Sequence, residues 1–81
     1  MIKLTLELPL SHVVLRWDEC DKIVKVHPYG RTGPSIVVEP CMASLKVLNS
    51  NVRGGMYIKD YRILQDTLQT IGNRVRYNAT G

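Results

Sequence analysis

Ile2, Leu4, Leu6 and Leu8 alternate with Lys3, Thr5 and Glu7 at the head of the chain. A strand turns successive side chains to opposite faces, so this period of two puts aliphatics on one face and polar groups on the other. The segment predicts a strand with one buried and one wet face, and therefore a sheet with something apolar laid across one side only. Pro9 ends the run. Residues 12–16 (His-Val-Val-Leu-Arg) predict a second strand and a hairpin partner for the first. Residues 22–27 predict a third, 35–39 a fourth between Pro34 and Pro40, and 44–48 a fifth; 56–58 offer a short sixth. Prolines suit strand ends, where a missing N–H costs least.

The partner for the apolar face is a helix. Tyr61, Leu64, Leu68 and Ile71 recur at helical spacing with Ile63 beside them, while Arg62, Gln65, Asp66 and Gln69 take the wet side. Asp60 is a good N-cap and Gly72 the expected stop. Between strands two and three, Trp17-Asp18-Glu19-Cys20-Asp21 predicts a tight turn, with Trp17 at the core edge. The predicted fold is α+β: a small, mostly antiparallel, meander-like sheet of about five strands with one C-terminal α-helix packed on one face. At 81 residues the chain holds one domain, residues 1–72, followed by 73–81 as a basic C-terminal tail or short edge strand. A domain of this size buries only about 60–65% of the surface its unfolded chain exposes, so assembly is a plausible source of extra stability.

Composition narrows function mostly by exclusion. Hydrophobic residues at 44% and charged residues at 22% are ordinary for a folded domain. Residues 1–40 carry five Lys or Arg against five Asp or Glu, and residues 41–81 carry six against two, so the whole excess of +4 falls in the second half. A mild basic bias favours an anionic partner. The opening residues form neither a secretory signal nor a membrane span, which predicts a cytoplasmic protein with reduced thiols. Cys20 and Cys41 fit no zinc spacing. P-loop, GxSxG and HExxH motifs are absent. His12 and His27 lie on different predicted strands, without ligand spacing. Asp18, Glu19 and Asp21 read as a solvated turn rather than a metal site, and Cys20 has no identifiable histidine partner. No cofactor, metal or catalytic residue is expected.

Two loops share one chemistry. Residues 28–34 hold Tyr29, Gly30, Arg31 and Gly33; residues 49–55 hold Arg53 beside Gly54 and Gly55. Glycine bares backbone N–H groups and arginine adds a forked cation, a combination that can cradle an anion, although hairpin turns also carry glycine for geometry alone. Counting connections in a five-strand meander places both loops, and the 8–12 turn, at one end of the sheet. Arg31, Arg53, Gly30, Gly33, Tyr29, His12 and His27 are the candidate binding residues, with Arg74 and Arg76 of the basic tail.

The opening Met-Ile-Lys-Leu-Thr, the strand-rich middle and the single terminal helix resemble in outline the small flagellar FlbD-type proteins. Pro9-Leu10-Ser11 stands where that family has an Asn-Gly turn, and the resemblance is one of layout that carries no function over. Small size without catalytic motifs points to a non-enzymatic binding protein: an inhibitor or sequestering protein, of the kind that phages and bacterial accessory systems encode, acting on a protein complex or a small anionic ligand such as a nucleotide. A homo-oligomeric assembly subunit, pairing through strand one or residues 74–77, is the second reading. A nucleic-acid binder using the basic second half is the third.

Overall fold

A computed structural model describes residues 3–80. Four strands form one sheet: β1 (Lys3–Leu8), β2 (Val13–Asp18), β3 (Val24–His27) and β4 (Ile36–Val38), in the order β1-β2-β3-β4 with every neighbour antiparallel. Two helices follow, α1 (Met42–Asn51) and α2 (Ile58–Thr80). The α+β meander is as the sequence predicts, with four strands rather than about five and two helices rather than one. Ile2, expected in the first strand, and Gly81, expected in the tail, lie outside the described residues.

The strand registers put all the alternating aliphatics on one side. Leu4 faces Trp17, Leu6 faces Leu15 and Leu8 faces Val13, and Leu15 in turn faces Val26. Both helices cover this inner face. The core is Leu8, Val13, Leu15, Trp17, Val24 and Val26 from the sheet, with Leu45, Leu48 and Val52 from the α1 region and Leu64, Leu68 and Ile71 from α2. Each such side chain contributes about 1.5–3 kcal/mol on full burial, so the apolar faces, not the turns, hold the layers together. Trp17 is buried, and its indole N–H is satisfied by the Asp21 carbonyl at 3.0 Å. That bond closes the acidic turn, where Asp18 Oδ1 also accepts the Cys20 N–H.

Residues 44–48 are helical, not a fifth strand. As a strand, Leu45 and Val47 would share a face; instead Leu45 is 1% exposed and Val47 is 48% exposed. The buried set Leu45, Leu48 and Val52 has helical spacing and outweighs the short alternation Leu-Lys-Val. The sixth strand is absent too: 55–57 is an irregular connection, and Ile58 opens α2. Gly54 and Gly55 take φ of +79° and +82°, a region that favours glycine, and turn the chain between the helices. Asn49 Oδ1 closes this connection by accepting the Met56 N–H at 2.8 Å.

Asp60 is not the N-cap of α2. The Tyr57 carbonyl accepts the Tyr61 N–H, so Asp60 lies inside the first turn, 2% exposed, and its Oδ2 accepts the Ser11 N–H at 2.7 Å. Nor does Gly72 stop the helix. The helix runs on through residues 73–80, which are neither an edge strand nor an extended tail. The apolar stripe Leu64, Leu68, Ile71 continues to half-buried Val75. Glycine stands at 72 because α2 crosses the Pro40 backbone there: a Cβ would meet the Pro40 carbonyl oxygen at 2.4 Å. At about 1.5 Å rise per residue the helix is some 34 Å long, and it sets the longest dimension of the domain; the extents are 40 × 23 × 17 Å.

Candidate functional site

The turn at residues 9–12 is where the predicted loops meet. On one side, Gly30 comes up to the His12 carbonyl, and the Arg31 guanidinium forms an ion pair with Glu7 at the end of β1. On the other side, the Tyr57 N–H donates to Ser11 Oγ, and Asp60 holds the Ser11 N–H. The connection at 28–34 and the hairpin at 8–12 thus share one end, as strand counting predicts. The α1–α2 connection arrives at the same turn through Tyr57, but it follows a helix rather than a fifth strand, so strand alternation does not place it there.

Arg31 and Arg53 have different settings. Glu7, Pro9, His12, Val14, Gly30 and Arg31 line a shallow recess of about 330 Å³. Within it the guanidinium is engaged by Glu7, and as an exposed pair the two are worth at most about 1 kcal/mol. Arg53 is exposed in the connection between the helices, and among the described residues no hydrogen bond or ion pair joins it to Arg31. The 28–34 loop folds over the outer sheet face: Val14 is only 6% exposed although its pleat position points away from the helices. His27 Nδ1 lies 3.0 Å from the Gly33 carbonyl oxygen, which pins the loop base. His12 takes a φ of 56°, a left-handed conformation set by the turn. Tyr29 projects outward, 60% exposed.

Arg74 and Arg76 belong to the far end of α2. The Nε and Nη2 of Arg74 both donate to Glu19 Oε1, at 3.0 and 2.7 Å, and Arg76 donates to Asn73 Oδ1. They line the opposite end of the molecule from the recess beside His12.

A feature that sequence reading missed occupies the outer face of the sheet. Beyond the part covered by the 28–34 loop, Lys3, Thr5, Arg16, Lys25 and Val37 are all exposed. Register makes Thr5, Arg16, Lys25 and Val37 one cross-strand row, so Arg16 stands directly opposite Lys25. Lys3 is diagonal to Arg16, opposite Asp18. None of the three cations has an ion pair or side-chain hydrogen bond among the described residues. The three cations, with Thr5, His27, Ser35 and the carboxylates Asp18 and Asp21, border an open depression of about 530 Å³. The alternating polar positions were readable in the sequence; which of them stand side by side depends on register.

Cys41 is a second missed feature. It occupies the N-cap of α1, exposed, on the rim of a recess of about 640 Å³ that also involves Pro40, Gly72 and Arg76. The Ser44 hydroxyl first, and the Ser44 N–H second, hold the Cys41 thiol below its ordinary range. Ser44 Oγ lies 3.5 Å from the sulfur and 2.5 Å from the Glu39 carbonyl oxygen, and its single proton serves one of them at a time. A lowered thiol pKa means thiolate at lower pH, so alkylation of Cys41 by iodoacetamide is expected to rise at lower pH than in Ser44→Ala. Rate–pH profiles with identical midpoints would remove Ser44 as the cause. Among the described residues no cluster of three or more His, Cys, Asp or Glu side chains could hold a metal ion, and no helix is long and apolar enough to cross a membrane.

Fold and surface together define a two-layer α+β domain: an antiparallel meander with helices on one face and a charged face left open. No family model matches the chain, and no curated protein or solved structure matches it either.

Proposed function

We propose that this domain is a non-enzymatic binding protein that presents its outer sheet face to an anionic partner. One observation carries the reading: Arg16 and Lys25, like charges, stand directly opposite each other on adjacent strands, and among the described residues neither has an ion-pair partner. Like charges so placed cost a fold roughly 0.2–1 kcal/mol and return nothing to it, whereas an approaching anion reverses the sign of the interaction. Lys3 extends the row, and the loop bearing Arg31 forms its rim.

The chemistry favours an acidic protein surface. The outward positions of the four strands carry no Phe, Tyr or Trp on which a base could stack. Glu7 and Asp18 interrupt the cations, which repels a continuous phosphate backbone but suits a mixed-charge protein interface. In this reading the domain acts by occupying an acidic face of a larger protein, as an inhibitor or sequestering protein would.

The test is binding of fluorescent poly-glutamate and of a single-stranded oligonucleotide at low salt. Wild type is expected to bind the peptide, Arg16→Glu/Lys25→Glu to bind at least about tenfold more weakly, and Arg53→Glu, on the helical side, to match wild type. Equal binding by the double variant, or preference for the oligonucleotide, overturns the reading.

A further inference from the structure

We propose that two copies of this chain join through antiparallel pairing of their β1 strands, giving a two-fold dimer with one eight-stranded sheet. The strand order leaves β1 and β4 as the edges. They are not equivalent. β4 has 3 residues and lies between Pro34 and Pro40, a short edge protected against further pairing. β1 has 6 residues and no proline, and among the described residues no strand pairs with its outer side, which carries a row of backbone N–H and C=O groups. A long regular edge is a template for another strand unless something blocks it.

The sequence of β1 is its own complement. Antiparallel pairing centred on Thr5 sets Lys3 opposite the partner's Glu7, Leu4 opposite the partner's Leu6, and Thr5 opposite the partner's Thr5. Opposite-charge and Thr–Thr pairs are both favourable across strands. Registers centred on Leu4 or Leu6 lose the charge match, so the pattern selects one alignment. Centring on Thr5 also preserves the pleat, with leucines on the inner face of both copies.

On the inner face, Leu4 and Leu6 at this edge are only half-buried. A groove of about 460 Å³ runs between the β1 edge and α2, with Leu4, Leu6, Trp17 and Ile71 among its lining and Glu19, Asp66 and Arg74 at its margin. In the dimer Leu4 and Leu6 of each copy close against Leu6 and Leu4 of the other. On the α2 wall Asp66 and Arg74 flank Thr70 at equal spacing, with Arg74 already held by Glu19 of its own chain. A two-fold axis perpendicular to the sheet keeps both outer faces on one side, so the two Arg16–Lys25 rows become one bivalent surface. The dimer itself does not rest on the anion-binding reading.

Light scattering on the full chain from micromolar to millimolar concentration tests it. The expected result is a monomer–dimer transition whose midpoint rises about tenfold in Lys3→Glu and again in Glu7→Lys, and returns to within about threefold of wild type in Lys3→Glu/Glu7→Lys. Thr5→Lys, which opposes two cations at the axis, is expected to be monomeric throughout. These side chains are exposed, and circular dichroism of each dilute variant checks that it is folded. A wild-type monomer at millimolar concentration overturns the proposal, as does a midpoint indifferent to Lys3→Glu or a charge swap no stronger than the single changes. Arg16→Glu/Lys25→Glu is expected to keep the wild-type midpoint while losing poly-glutamate, which separates failure of one proposal from failure of the other.

Discussion

Replacing Gly72 with alanine is expected to destabilise the domain by about 2 kcal/mol, read as a lower urea midpoint with an unchanged slope. In an exposed helix interior the same change stabilises by about 1 kcal/mol, because glycine loses more backbone freedom on folding. The sign reverses here because the added Cβ would stand 2.4 Å from the Pro40 carbonyl oxygen. Overpacking costs typically about 1–3 kcal/mol, and this contact belongs near the top of that range because the obstacle is backbone. That backbone cannot retreat easily: Pro40 joins β4 to α1, and the Ser44 hydroxyl holds the adjacent Glu39 carbonyl. About 3 lost against about 1 regained leaves about 2 kcal/mol. Gly72→Val is expected to lose more. An alanine variant as stable as wild type would mean that α2 moves off Pro40 at no cost and that the close approach does not explain the glycine.

Asp60→Ala is expected to cost about 3 kcal/mol. A carboxylate 2% exposed accepts the Ser11 N–H at 2.7 Å, across 49 residues of sequence. A hydrogen bond to a charged group contributes about 1.5–3 kcal/mol, and an acidic side chain in the first turn of a helix a further 0.3–1 kcal/mol. Alanine removes both and leaves the Ser11 N–H without its acceptor. Asp60→Asn keeps the shape and an acceptor and is expected to lose about 1 kcal/mol. Ser11→Ala removes only the exposed bond to the Tyr57 N–H and is expected to lose less than about 1 kcal/mol. The order of urea midpoints, with Asp60→Ala lowest, is the measurement. A midpoint for Asp60→Ala above that for Ser11→Ala would show that the buried carboxylate is not what ties the hairpin to α2.

The two variants probe the places where sequence reading and structure part. Asp60 was legible as a helix-start residue, and it does lie in the first turn; its partner Ser11 was not, because nothing local relates residues 49 apart. Gly72 was legible as a helix-related glycine with the wrong role. A stop and a notch for a crossing backbone look alike in sequence, and only the position of Pro40 distinguishes them. At 44–48 two periods competed over a short run, and the helical one was completed by Val52, beyond the segment that suggested a strand. For the candidate site, Gly30, Arg31 and His12 do come together, while Arg53, Arg74 and Arg76 lie elsewhere. The charge excess in residues 41–81 pointed to the second half. The cationic row on the sheet is built from Lys3, Arg16 and Lys25, in the half whose charges sum to zero.

The sequence alone determined what nearest neighbours along the chain encode. The alternation of β1, the β2 and β3 runs, the acidic turn after Trp17 and the stripe from Leu64 to Ile71 are local periodicities, and local periodicity decides which face of an element is apolar. Those faces were enough to require a one-sided antiparallel sheet under a helical layer. Tertiary structure decided which side chains stand beside one another: Arg16 against Lys25, Asp60 under Ser11, Gly72 over Pro40, and the β1 edge beside a groove. Each depends on register or crossing geometry between segments far apart in sequence, where a shift of one residue in a strand reverses every side chain.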